Sequence, residues 1–169
     1  FLAPGAAIVA LSAGQDTGNF AHVYVNGVDV ARNQRGYNLV AVGGNGNVLD
    51  SAVFDTFASP DESRRMSEWL KQWPSGTIIA GAVGDEASMN LGQDAIDALA
   101  TVGVTTDLRN RFRWGHAFVG AIDGSSASGA IEQASLVAPA AAAVGSPVDG
   151  DLVYGGVRSI QIEPSRNTK

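Results

Sequence analysis

The chain has 169 residues, with 11 Lys and Arg against 17 Asp and Glu, a formal charge of −6. That balance excludes the basic footprint that nucleic acid or an anionic membrane surface requires, and no apolar run reaches the roughly 18 residues of a bilayer span. Cysteine is absent and only two histidines are present, which rules out disulfides and thiolate sites and leaves too small a ligand stock for zinc.

The 21 glycines point to a turn-rich β or α/β protein. The chain opens on Phe1 rather than Met and reads as a piece of something longer. Residues 6–12 (AAIVALS) read as a first strand, followed by the polar turn GQDTGN. Residues 20–25 and 28–31 read as a hairpin, because Asn26-Gly27 is the two-residue signal of a type I′ turn. The basic turn at 32–36 leads into a strand over 37–42. The glycine-rich GGNGN that follows precedes another strand, 48–57, and not a helix, so it is a hairpin turn and not a phosphate loop.

Ser59-Pro60-Asp61-Glu62 is a helix start, with Ser59 as N-cap, Pro60 in the first turn and Glu62 closing a capping box. Met66, Trp69, Leu70 and Trp73 then repeat at helical spacing and predict one buried stripe, with Pro74 as the stop. Residues 77–83 form a short run of small and β-branched residues that reads as a strand buried on both faces. Gly84, Asp85 and Glu86 end it, which places two carboxylates at the tip of a rigid element. The same pair also suits the first turn of a following helix. That second helix is expected over 93–101, with Ile96, Leu99 and Ala100 inward and Gly103 at its C′ position. Residues 108–113 are the one dense basic cluster, residues 114–122 another strand, and residues 130–133 a short further element. The alanine- and proline-rich 134–150 reads as a linker, and 157–162 as a last strand. Asp149-Gly150-Asp151 lacks any calcium-loop spacing, and no nucleophile–base motif is present. Cofactor and metal ligands are therefore not expected.

Five segments in order resemble one family: Arg35-Gly36-Tyr37-Asn38-Leu39-Val40; Val53-Phe54-Asp55-Thr56-Phe57; Pro74-Ser75-Gly76-Thr77-Ile78-Ile79; Val83-Gly84-Asp85-Glu86-Ala87-Ser88; and Arg113-Trp114-Gly115-His116-Ala117-Phe118-Val119-Gly120. Together they resemble the interleukin-like EMT inducer domain, also called the PANDER-like or GG domain, in a bacterial-type version. The resemblance implies an α+β fold, a ββα sandwich of two twisted, mainly antiparallel sheets flanked by two helices, with an N-terminal β-hairpin extension. It divides the chain into that extension at 1–34, the family core at 35–133, and a linker with a C-terminal strand at 134–169.

It also implies a lectin-like site formed by Arg35, Asp85 and Arg113, with Glu86 and Trp114 beside them. Asp accepts from sugar hydroxyls, and Arg donates in a planar fork. The same residues equally suit a cluster that braces strand ends, and Trp114 equally suits the core. Two readings follow. One is a non-catalytic carbohydrate-binding module of a larger extracytoplasmic, glycan-handling protein, taking a neutral or N-acetylated saccharide. The other is an assembly domain that docks on a protein partner. The chain departs from the family's secreted signalling members in having no cysteines, and in placing His116 where the family usually has Trp.

Overall fold

In a computed structural model, which describes residues 2, 5–123, 129–145, 147–148 and 151–152, the chain is an α+β fold of one nine-stranded mixed sheet and two helices. The strands are β1 (Ala7–Gly14), β2 (Phe20–Val25), β3 (Val28–Asp29), β4 (Gly36–Val42), β5 (Val48–Phe54), β6 (Ile78–Asp85), β7 (Gly115–Ala121), β8 (Ile131–Ser135) and β9 (Ala140–Gly145). The helices are α1 (Pro60–Lys71) and α2 (Gln93–Thr101). A separate two-residue ladder, β10 (Pro147–Val148) with β11 (Asp151–Leu152), follows.

The sheet has two antiparallel arms. One runs β5-β4-β6-β7-β8 and the other β3-β2-β1-β9. They join where the ends of β1 and β6 pair in parallel, Ala13 with Gly84 and Gly14 with Asp85. The separate sheets implied by the resemblance are therefore one hydrogen-bonded network. The physical reason is a change of partner: β9 accompanies β1 only as far as Ser12, and β7 accompanies β6 only up to Ala82, so the last residues of each strand are free to pair with each other.

Alternation of side chains divides the core in two. Tyr37, Leu39 and Ala41 of β4 with Ile79 and Val83 of β6 face Met66 and Leu70 of α1 and Ala95, Ala98 and Leu99 of α2. Their neighbours Val40, Val42, Ile78, Ala80 and Ala82 face Ile8 and Ala10 of β1, Ala21, Val23 and Val25 of β2, and Ala140 and Ala142 of β9. The central strand β6 is thus buried on both faces, as its unbroken apolar run predicts.

Several expectations are met in detail. Asn26 and Gly27 both have positive φ, as a type I′ turn demands. The Ser59 side chain accepts from the Asp61 N–H at the start of α1. Gly103, with φ +89, follows the C-cap of α2. Others are corrected. Glu62 does not close a capping box; its carboxylate accepts from the Asp55 N–H at 3.0 Å and pairs with Arg65, tying α1 to the end of β5. The α1 stripe buries Met66 and Leu70, but Trp69 and Trp73 are only half-buried at the edge of the core, and Trp69 Nε1 donates outward to Asp50 at 2.8 Å. In α2 the inward face is Ala95, Ala98 and Leu99, while Ala100 is exposed. The carboxylates of Asp85 and Glu86 do not start a helix, because α2 begins only at Gln93. Within the supposed linker, Ala140–Gly145 is a strand registered along β1 from Ser12 to Ala7. Its alternation of buried and exposed alanines is a strand pattern that composition alone hides. The strand expected over 157–162 lies outside the described residues.

Replacing Met66 with Ala should cost about 2–5 kcal/mol, because it removes a fully buried side chain. Trp69→Ala should cost less despite the larger side chain. Paired chemical denaturation curves check the order, and a larger loss at Trp69 would reverse it.

Candidate functional site

The five residues singled out from the sequence gather at one end of β6. Gly36 pairs with Gly84, which sets Arg35 beside Asp85, and Gly14 pairs with Asp85 from the other arm. Two of these glycines are dictated by close approach. A Cβ on Gly14 would stand 1.8 Å from the Arg113 carbonyl oxygen, and one on Gly36, at φ +93, would stand 2.2 Å from the Phe54 carbonyl oxygen. The chain before β7 is thereby pressed against the end of β1, and the chain before β4 against the end of β5.

Asp85 and Arg113 both adopt left-handed backbone, with φ of +59 and +61. Outside glycine this conformation costs of order 1 kcal/mol and is least unfavourable for Asp and Asn. Asp85 is half-buried, and its carboxylate has no hydrogen-bond or ion-pair partner among the described residues. Arg35 makes a bidentate pair with Asp55, Nη2 to Oδ2 at 2.8 Å and Nε to both oxygens at 3.1 Å, and its guanidinium lies 4.6 Å from the Phe57 ring centre. Its pKa is raised above the ordinary value, chiefly by the hydrogen bonds to Asp55, with the charges of Asp85 and Glu86 adding to the effect. Arg113 Nη1 reaches Asp16 at 3.2 and 3.3 Å, while its Nε is buried without a partner among the described residues.

Glu86 has a different place. It is 2% exposed, and its two oxygens accept from the backbone N–H groups of Ser88 (2.7 Å), Met89 (3.1 Å) and Arg113 (3.4 Å). A buried carboxylate holding three N–H groups fixes the loop after β6 to the loop before β7. Those loops enclose an open cavity of about 300 Å³ lined by Ser88, Met89, Asn110 and Phe112. Trp114 is half-buried against the helix-side core, with the Arg111 guanidinium 4.9 Å from its ring centre.

Sequence reasoning missed Asp16. It comes from the one-turn helix Gln15–Thr17 after β1 and meets Arg113 from 97 positions away, so no local spacing signals it. It also missed the buried line behind the site. His116, with 0% exposure, has Nδ1 3.3 Å from the Tyr37 hydroxyl and Nε2 2.9 Å from Glu132 Oε2. Burial pushes the Tyr37 phenol pKa up, so the hydroxyl that meets His116 Nδ1 stays protonated. His116 thus belongs to a buried hydrogen-bond chain within the core.

The sequence profile of the interleukin-like EMT inducer family matches residues 35–124. Among similar proteins, a cell surface hyaluronidase of Danio rerio is 39% identical over 98 residues, 56% of this chain and 7% of that protein. Cell migration-inducing and hyaluronan-binding proteins are 38% identical over 74 residues in Mus musculus and 40% identical over 68 residues in Homo sapiens. These cover 44% and 40% of this chain, and 5% of each relative. The chain therefore corresponds to a small part of each of these much longer proteins. Strands β1, β2, β3, β8 and β9 lie outside the family match.

Glu132 generates a prediction of pH dependence. Burial opposes its ionisation, but hydrogen bonds from His116, Thr105 and Thr106 outweigh that and hold its pKa at about 2, below the ordinary 4.5. A depressed folded pKa contributes stability that is present above 4.5 and is lost as pH falls toward about 2. The wild type should lose stability across that window, and Glu132→Gln should flatten this part of the curve. Denaturant midpoints measured from pH 6 to pH 2 check it; parallel curves for the two proteins would refute it.

Proposed function

The chain belongs to the interleukin-like EMT inducer family through residues 35–124, and from that premise we propose that it is a non-catalytic carbohydrate-binding module of a larger extracytoplasmic, glycan-handling protein. The observation that carries the reading is Asp85: an unpartnered carboxylate, held in left-handed backbone at the tip of a doubly buried strand, next to the guanidinium-bearing loops of Arg35 and Arg113. A rigid acceptor between donors matches vicinal hydroxyls of a neutral or N-acetylated saccharide. Backbone strain maintained at such a point is the pattern that functional sites repeatedly show. The relatives named for hyaluronan support a saccharide as the ligand class, and the one named a cell surface hyaluronidase supports a cell-surface setting.

Asp85 accepts, Arg35 and Arg113 donate from guanidinium edges left free by Asp55 and Asp16, and Glu86 holds the loops. Trp114 flanks the site. The non-catalytic assignment rests on Glu86: glycoside hydrolysis uses two carboxylates that both face the sugar, and the one adjacent to Asp85 is buried on backbone N–H groups. Assignment to a bacterial-type version rests on the N-terminal hairpin alone. The second reading, a domain that docks on a protein partner, is favoured by the exposed apolar residues Ile131, Leu136 and Val137 along and beyond the edge strand β8.

Amide shifts during titration with N-acetylglucosamine-terminated and mannose-terminated oligosaccharides test the proposal. Shifts are expected around residues 84–89 and 110–114. Asp85→Asn keeps the side chain that tolerates left-handed backbone and removes the charge, so binding should fall about tenfold or more with the unfolding midpoint nearly unchanged. Silence near Asp85 at millimolar sugar would favour the docking reading.

A further inference from the structure

We propose that Asp16 is the specificity-determining residue of this site, a built-in counter-ion on Arg113 that makes the site refuse acidic groups. The ligand class rests on the saccharide reading above; the charge argument stands on geometry. Asp16 lies on the turn between β1 and β2, outside the segment that matches the family. Its two oxygens stand 3.2 and 3.3 Å from Arg113 Nη1, where an incoming carboxylate or sulfate would otherwise seat.

The position of Asp16 is built into the fold. Gly14, two residues earlier, pairs with Asp85 and is pressed against the Arg113 carbonyl, so the turn cannot move away without opening the junction. Around the end of β6, Asp55 holds Arg35 in a bidentate pair and Asp16 pairs with Arg113, while Asp85 lies beside them and Glu86 is turned to backbone N–H groups. Neither arginine therefore offers a free charge. What remains on Arg113 is the hydrogen-bonding capacity of the guanidinium edge that Asp16 does not occupy, without net attraction for anions. Such a site rewards hydroxyls and amides and penalises uronates. The consequence is selectivity against the acidic polymer for which some relatives of this family are named.

The test compares wild type with Asp16→Asn, a change at an exposed side chain, using three probes at low salt. They are a neutral N-acetylglucosamine oligomer, a hyaluronan tetrasaccharide and inorganic sulfate. Asp16→Asn should raise affinity for sulfate and for the acidic tetrasaccharide roughly three- to tenfold, with the gain shrinking in high salt. Affinity for the neutral oligomer should change much less than affinity for the two acidic probes. Adding Arg113→Gln to Asp16→Asn should remove the gain. Equal sulfate affinity in wild type and Asp16→Asn, or a gain that survives Arg113→Gln, overturns the inference even if the neutral sugar binds. If no sugar binds either protein, the saccharide reading falls, and the sulfate comparison still decides the role of Asp16.

Discussion

The two arms of this fold meet at a parallel strand pairing beside which one buried hydroxyl bridges β1, β6 and β7. Ser12, with 0% exposure, donates from Oγ to the Val83 carbonyl of β6 and accepts at Oγ from the His116 N–H of β7 at 2.9 Å. It sits where β7 leaves β6 and β1 takes its place, a point at which one carbonyl and one N–H have lost their ladder partners. Buried backbone groups must be paired. Serine satisfies both with one side chain, and the parallel pairing of Ala13 and Gly14 with Gly84 and Asp85 follows directly after it.

The site depends on that junction. The strand change ends β6 at Asp85, brings the turn bearing Asp16 over Arg113, and requires the glycine at position 14 because the Arg113 carbonyl occupies its Cβ space. Glu86 then closes the arrangement from beneath by holding Ser88, Met89 and Arg113 through their N–H groups. Behind it, Tyr37, His116 and Glu132 connect β4, β7 and β8 by side-chain hydrogen bonds. The polar groups at the surface are thus few, and the work of positioning them is carried by buried ones.

Much of this was legible from local pattern. The doubly buried β6, the type I′ turn, the Ser59 cap and the Gly103 stop each follow from a short stretch of sequence whose physics is local. Arg35, Asp85 and Arg113 were singled out by a family resemblance, and the strand-end glycines bring their loops to one end of β6. What was hidden is long-range. β9 reads as linker because alanine is a weak strand former, and its role comes from pairing with β1 across more than a hundred residues. Trp69 and Trp73 fit the helical stripe by spacing, but α1 lies so that they reach only the margin of the core. Asp85 and Glu86 stand side by side at the strand tip, and nothing local says which of the two is buried. Adjacent residues at a strand end point apart, and here Asp85 is half-buried while Glu86 is fully buried on backbone N–H groups. Asp16 gave no signal, since its meaning lies entirely in Arg113.

The β1–β6 junction, closed by Ser12, sets the geometry of the loops carrying Asp85 and Arg113. Amide hydrogen exchange on wild type and Ser12→Ala tests it most directly. The variant leaves a buried carbonyl and N–H unpaired, a cost of about 1–3 kcal/mol. Protection should fall selectively at residues 84–86 and 113–116, with the helix-side core around Leu39, Ile79 and Leu99 retaining its protection. Uniform loss across the sheet, or unchanged exchange at residues 84–86 and 113–116, would contradict it.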